Sequence, residues 1–517
     1  MRGGLFQAAV GLLCAAPVLL GFFGVYDVNH DIAWLLHCST LWLDGGTPYV
    51  DFFENNPPLI LWLGMPAVGL GRLFGWPAWV AYDLLVLTAA ASTAAMVQVL
   101  LRSVSGEEAR LRRHLVGALL TACLILAPGW DFGQRDHLAV IFFVPSLVAA
   151  TLRLDGRTCS AGWAVAVGLW AALGFGLKPP LLLVWAGVEV LLAVSRRDAL
   201  LPLRRENWAI GAGLLAYAGA TVWLAPGFFE VAGWSLDLYG AYANPVPLHH
   251  PGFLLAWLGV MAFLVVRDSE GTRALRRVGV VALVATIAAV VWQNRGFTYH
   301  FAPPRVLGGF SLGLAVLAAI EHPRAFQVVT RLPARWAPTA FLAALVAFAL
   351  LWTSCVVRQT FWSGGSSPVA ALAHLVERHA PSGPIVVYST SVYLGFPLAS
   401  ITGATWISRF ANLWIVPGVY SDFEKRSRPF PYHERSEMGE MERFQIDSVV
   451  EDLERTPPEL IIFDRSRKKQ GMGRTLFDFE VYLRRDPRFE RIFAGFTKLA
   501  DVGPYRVYQK ASPATTP

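Results

Sequence analysis

The sequence predicts an α-helical polytopic membrane protein with a small soluble α/β domain at its C-terminal end. Three observations predict this. First, 16% of the 517 residues are charged and 55% are hydrophobic, with a mean hydropathy of +0.45. A soluble domain carries about 25% charged residues, so this inventory cannot cover a water-exposed surface along its whole length. Second, apolar runs near the roughly 20 residues that span a bilayer recur through the first two thirds of the chain. Third, 39 of the 81 Asp, Glu, Lys and Arg residues fall in the last 160 positions. That shift sets a boundary between a membrane part, 1–357, and a soluble part, 358–517. Disorder and a disulfide scaffold are excluded by the same composition.

The first span is Leu5–Tyr26, read as an uncleaved anchor with its N-terminus in the cytoplasm. Apolar runs follow near 58–74, 78–101, 113–129, 138–153, 160–177, 180–195, 208–225, 252–266, 278–292, 304–320 and 337–357. Arginine-rich connectors lie at 102–114, 153–157, 196–205, 267–277 and 322–335. The positive-inside rule places these in the cytoplasm. It also accounts for the net charge of +7 and the pI near 9.2 without nucleic acid. If 58–74 crossed fully, Arg102, Arg110, Arg112 and Arg113 would face outside. That segment is short and carries Gly64, Pro66, Gly69 and Gly71, so it reads as re-entrant or interfacial. Eleven crossings remain, and the soluble part lies on the extracytoplasmic face of a plasma (inner) membrane. Cysteines 14, 38, 123, 159 and 355 form no CxxC pair and no zinc spacing.

The loops on the outer face concentrate polar residues. The first, 26–57, carries Asp27, His30, Asp31, His37, Asp44, Asp51 and Glu54. Its stretch Ile32–Leu43 has helical apolar spacing and suits the interface, with Trp34 and Trp42 at headgroup depth. A carboxylate just before such a helix can accept a proton from a hydroxyl, or it can merely cap the helix. Gln134, Arg135, Asp136 and His137 precede the 138–153 run, Lys178 sits in GLKPP, and Arg295, Tyr299, His300 and Arg305 lie between 293 and 305. Any one of these cations can snorkel. Several on the face that the positive-inside rule disfavours are what a phosphate or diphosphate headgroup needs.

These residues stand in an order that resembles the GT-C glycosyltransferases, membrane enzymes that use polyprenyl-phosphate sugars. Protein O-mannosyltransferases and the aminoarabinose transferases of lipid A are examples. The resemblance spans roughly 1–320. It rests on Asp31 after the first span, LDGG (Leu43–Gly46), PY-x-D (Pro48–Asp51), Glu-x-x-Pro-Pro-Leu (Glu54–Leu59), GQRDHL, GLKPP and Arg-Gly-x-x-Tyr-His. It implies a polyprenyl-phosphate sugar donor and a glycan, lipid or protein acceptor. Asp31 would be the general base, with Glu54 the second candidate. Arg135, His137, Lys178, Arg295, Tyr299 and His300 would hold the donor phosphate, and Asp27, His30 and Asp51 would serve the acceptor or support the base. Two departures stand out. Many relatives have adjacent acids where this chain has His30-Asp31, and some have Lys or His where it has Asn56. The choice of base and any divalent-metal requirement therefore stay open. GxGxxG, GxxxxGK[ST] and HExxH are absent. A transporter or flippase of lipid-linked saccharides and an O-antigen polymerase or ligase are the competing readings. Against the first, the sequence shows none of the internal symmetry of secondary transporters. The second fits the Pro-Pro-Leu text less well.

In the soluble part, Pro368–His379 reads as a helix, Ile385–Thr390 and Leu460–Asp464 as strands, and 438–455 and 476–485 as helices. Phe489–Lys510 reads as two strands joined around Asp501–Pro504. Acceptor recognition or a cover for the active site is the function expected of this domain. The final seven residues read as disordered.

Overall fold

The computed structural model describes residues 12, 28–102, 110–198, 203–265, 273–321, 368–420, 430–473 and 476–511. The expected span Leu5–Tyr26, the run 337–357 and Asp27 lie outside the described residues. The chain forms two compact units: Met1–Val25, Val80–Ala220 and Asn244–Trp362 in one, Tyr26–Trp79, Thr221–Ala243 and Ser363–Pro517 in the other.

The first unit is a bundle of apolar helices. Among the described residues, Ala78–Arg102, Arg135–Leu154, Pro179–Arg196 and Arg273–Gln293 are long and apolar enough to cross a membrane. Shorter apolar helices include Arg113–Leu126, Ala161–Leu177 and Pro251–Leu264. Arg135–Leu154 packs on Ala161–Leu177 and on Arg273–Gln293. Small residues permit this closeness. A Cβ on Gly174 would sit 2.7 Å from the Ala139 carbonyl oxygen, and one on Gly259 2.8 Å from Gly308. Helix Arg135–Leu154 places Arg135 and Asp136 at one end of the bundle and Arg153 at the other. A 20-residue helix is about 30 Å long, so the two ends are separate polar sites. At the Arg153 end, Arg153 pairs with Glu206 at 2.9 Å, Arg204 pairs with Glu189, and Asn207 donates to Glu189 at 3.0 Å.

The second unit joins the first loop to the C-terminal sheet. Helix His30–Leu43 packs on helix Leu59–Phe74. Ser39 Oγ donates to the Leu61 carbonyl at 3.0 Å, and Gly64 lies against Ser39 closely enough that a Cβ there would clash. The Phe53 N–H donates to the Arg409 carbonyl at 2.6 Å, and its ring packs among Phe410, Trp414, Trp234 and Phe444. Residues 226–251, expected as loop, instead contain a helix, Gly227–Leu238, that begins directly after Pro226. Proline at a helix start loses no hydrogen bond, and Val231, Ser235 and Leu238 at helical spacing are buried.

The mixed sheet has strands β1 (Pro384–Tyr388), β2 (Thr405–Trp406), β3 (Leu460–Asp464), β4 (Phe496–Val502) and β5 (Tyr505–Lys510), in the order β2-β1-β3-β5-β4. β1 is parallel to β2 and β3, and β5 is antiparallel to β3 and β4. Helices Pro368–His379 and Glu440–Arg455 form where the sequence predicts them. The predicted helix over 476–485 is confined to Phe479–Leu483, capped by Asp478. The stretch before β4 is a helix, Pro487–Phe493, rather than strand. Asp486 caps it and Pro487 opens it, a start signal that outweighs the local aromatic content.

Candidate functional site

In the bundle, three loops bring the predicted cations together at the Arg135 end. Lys178 ends helix Ala161–Leu177, and the prolines that follow start a new turn. His300 sits in the short turn Thr298–Phe301. Asp136 stands in the first turn of its helix. Lys178 Nζ lies 3.0 Å from Asp136 Oδ2, an ion pair, and 3.1 Å from His300 Nδ1. His300 Nδ1 is 3.3 Å from Asp136 Oδ1. All three side chains are buried. Burial pulls the Lys178 ammonium down to about 8, against the attraction of Asp136. Burial likewise holds the His300 imidazole down at about 4, with Lys178 adding to the effect.

His300 is therefore neutral at neutral pH. The shorter of its two Nδ1 contacts is to the ammonium, so the hydrogen-bond network assigns Nδ1 as acceptor and Nε2 as the protonated nitrogen. That Nε2 is buried and has no hydrogen-bond partner among the described residues. Tyr299 closes the cluster, with Lys178 Nζ 5.4 Å from its ring centre and the His300 ring 4.4 Å away. Arg135 and Arg295 are half-buried and close enough to act on Lys178 electrostatically.

Two neighbours brace the same loops. Asp131, which the sequence did not single out, accepts from Arg305 at 2.6 Å and from Thr298 at 2.8 Å, locking 129–131 to 298–305. His137 is engaged on both ring nitrogens: Gly133 N–H donates to Nδ1 at 2.8 Å, and Nε2 donates to the Leu124 carbonyl at 2.6 Å. Tyr82 donates to the Gly133 carbonyl at 2.8 Å.

In the second unit, the carboxylates of the first loop separate by role. Asn29, not Asp31, caps helix His30–Leu43: its Oδ1 accepts from the Asp31 N–H at 3.0 Å. Asp31 is thereby relieved of capping, and its side chain is 29% exposed on the first turn, with His30 Nε2 3.6 Å from Oδ1. Glu54 is buried, and each of its oxygens accepts a hydrogen bond, from Trp34 Nε1 at 2.6 Å and from the Asn56 N–H at 2.7 Å. Asp51 accepts from the Thr47 N–H at 2.7 Å and lies 3.9 Å from Arg455. His37 packs its ring between Trp34 and Phe396. Among the described residues, no group of three His, Cys, Asp or Glu side chains is arranged to hold a metal ion.

No protein-family model and no curated protein matches the chain. Solved structures do. ArnT, the aminoarabinose transferase of Cupriavidus metallidurans, bound to undecaprenyl phosphate, superposes with a TM-score of 0.54 at 13% identity, covering 99% of each chain. The same protein in its apo state gives 0.51 at 14% identity, over 97% of this chain and 98% of that one. Likeness at such low identity establishes the fold alone: the chain shares the fold of these two ArnT structures.

Proposed function

We propose that this chain is a multi-pass membrane glycosyltransferase. It moves a sugar from a polyprenyl-phosphate donor to an extracytoplasmic acceptor, an envelope glycan, glycolipid or protein, with inversion at the anomeric carbon. The observation that carries this reading is the enclosed Lys178–Asp136–His300 cluster, with an N–H on His300 that lacks a partner among the described residues. A buried donor without an acceptor is costly unless a ligand completes it. A phosphate oxygen, with Arg135 and Arg295 contributing charge, is an acceptor of the right sign. Undecaprenyl phosphate in the ArnT structure of the same fold supports this choice of ligand.

In this reading Lys178, His300, Tyr299, Arg135 and Arg295 hold the donor phosphate. Asp136 positions the lysine. His137, whose ring nitrogens are both committed to backbone, braces the turn instead of binding phosphate. Asp31 takes the proton from the acceptor hydroxyl as its oxygen bonds to the anomeric carbon. The bond from that carbon to the phosphate oxygen breaks, and the polyprenyl phosphate departs with its charge met by the cations. Glu54, already engaged on both oxygens, holds the loop, and His30 and Asp51 support it. The membrane part crosses eleven times with the N-terminus inside. The helix at 58–74 does not cross, which its packing against His30–Leu43 supports. Residues 358–517 face the extracytoplasmic side.

The test uses the full chain in nanodiscs with a labelled undecaprenyl-phosphate sugar. Asp31→Asn should lose transfer yet retain binding of undecaprenyl phosphate, and Arg135→Ala should weaken that binding. Parental transfer by Asp31→Asn removes Asp31 from the chemistry. Topology reporters that place His300 and Asp31 on opposite faces of the membrane refute the enzyme reading.

A further inference from the structure

Ligands of parallel α/β sheets sit beyond the carboxyl ends of adjacent strands. Here β1 and β3 are adjacent and parallel, and the residues after them form a compact polar seam. Ser389 Oγ donates to Asp464 Oδ2 at 2.8 Å, and the Ser466 N–H donates to Asp464 Oδ1 at 2.8 Å. Thr390 is fully buried between them in sequence, and its Oγ1 has no hydrogen-bond partner among the described residues. Ser391 caps the short helix Val392–Gly395, accepting from the Tyr393 N–H at 3.3 Å.

That short helix packs on helix His30–Leu43. Tyr393 meets the His30 ring edge-on, with centroids 5.8 Å apart, one residue from Asp31. Tyr505, at the start of β5, shares this corner with Tyr393 and Asp464. Burial first, then those two neighbours, push its phenol up to about 12, so it stays a neutral donor. The carboxyl edge of the sheet thus brings phenols and hydroxyls to the turn that carries Asp31.

We propose that Tyr393, with Tyr505 beside it, forms the acceptor-binding wall next to Asp31, and that it takes a sugar ring. The assignment rests on the glycosyltransferase reading. One face of a pyranose is lined by C–H groups and packs against an aromatic ring, while the phenol hydroxyls reach the sugar's own. The acceptor is then a glycan hydroxyl presented to Asp31, and the C-terminal sheet is part of the site that selects it.

The experiment measures transfer by the full chain in nanodiscs, from labelled undecaprenyl-phosphate sugar to a titrated envelope glycan fraction. Tyr393→Ala should raise the half-saturating amount of glycan roughly tenfold, the effect of a lost aromatic contact. Half-saturation by the donor should not change. Tyr393→Phe, which keeps the ring, should stay within about threefold of the parent on the same scale. If Tyr393→Ala does not accumulate, Tyr393→Leu takes its place. Unchanged glycan dependence, a parallel shift for donor and glycan, or equal losses in the Ala and Phe variants each overturn the acceptor wall and leave the glycosyltransferase standing. Absence of transfer by the parent overturns both.

Discussion

Removing either charge of the buried pair at the bundle end should cost more than removing both. The Asp136 and Lys178 side chains are 2% and 7% exposed and 3.0 Å apart. In Lys178→Met the carboxylate keeps its desolvation penalty and loses its counter-charge. In Asp136→Asn the ammonium is left against a neutral amide and a neutral imidazole. Breaking a buried pair from one side costs about 3–5 kcal/mol, whereas replacing both members by uncharged groups of similar size is often close to neutral. The double variant should therefore be more stable than either single one, with a coupling of at least ~2 kcal/mol. His300 adds a second signature. In Lys178→Met it loses the neighbouring cation and keeps Asp136 at 3.3 Å, so its pKa rises and imidazolium can replace the ammonium. That group then binds a proton more tightly folded than in its present state, so the Lys178→Met defect should shrink as pH falls from 8 to 6. The assay is thermal unfolding of the full chain in nanodiscs across that range, followed by intrinsic fluorescence. A double variant that melts as low as the summed single defects would show that the two charges do not interact. A pH-independent Lys178→Met defect would remove His300 from the cluster.

Asp31→Asn should lower transfer by about 10²–10⁴-fold, the usual worth of a general base, without lowering the melting temperature, because Asn29 holds the cap. The complementary change, Asn29→Ala, should cost about 1 kcal/mol of stability through the lost cap, read in the same melt. Glu54→Ala should reduce folded yield by stranding the Trp34 and Asn56 donors, at about 1–3 kcal/mol each, while the folded fraction keeps its donor affinity; a normal melt with lost chemistry would return Glu54 to the reaction. In the C-terminal unit, burial tends to raise Asp447 and Asp486, but hydrogen bonds from Arg488 and Arg435 win and hold both below the usual range. Depressed carboxylates stabilise above their unfolded pKa, and that stability is lost as pH falls through the folded value. The acid limb of unfolding should start near pH ~4 and continue downward, and Arg488→Met should flatten it.

What the sequence made legible was whatever short-range pattern decides. The apolar runs, the strands at 384–388 and 460–464 and the 440–455 helix all follow from periodicity. Helix Pro487–Phe493 was legible too, from Asp486-Pro487, but its aromatic residues drew the reading towards strand. The site is different in kind. Asn29 and Asp31 are both good capping residues two positions apart, and only the folded structure shows that Asn29 is the one whose side chain caps the helix. His137 and His300 look alike as histidines in polar loops. One spends both nitrogens on Gly133 and Leu124, while the other keeps Nε2 back, a difference created by tertiary contacts.

Tyr393 lay beyond sequence reasoning for the same reason. Its own neighbourhood, SVYLG, announces nothing except a capped turn, and its significance arises from the His30 ring it meets far back along the chain. The local text fixes which groups the chain has available, and the fold decides which of them are engaged inside the protein. A residue whose hydrogen-bonding capacity is consumed inside the protein, such as Glu54 or His137, is the weaker claimant to substrate even when its motif is the more conspicuous. On that criterion the claim in the bundle passes to His300, whose Nε2 has no partner among the described residues, and the variants of Glu54 and Lys178 described above measure whether the criterion holds.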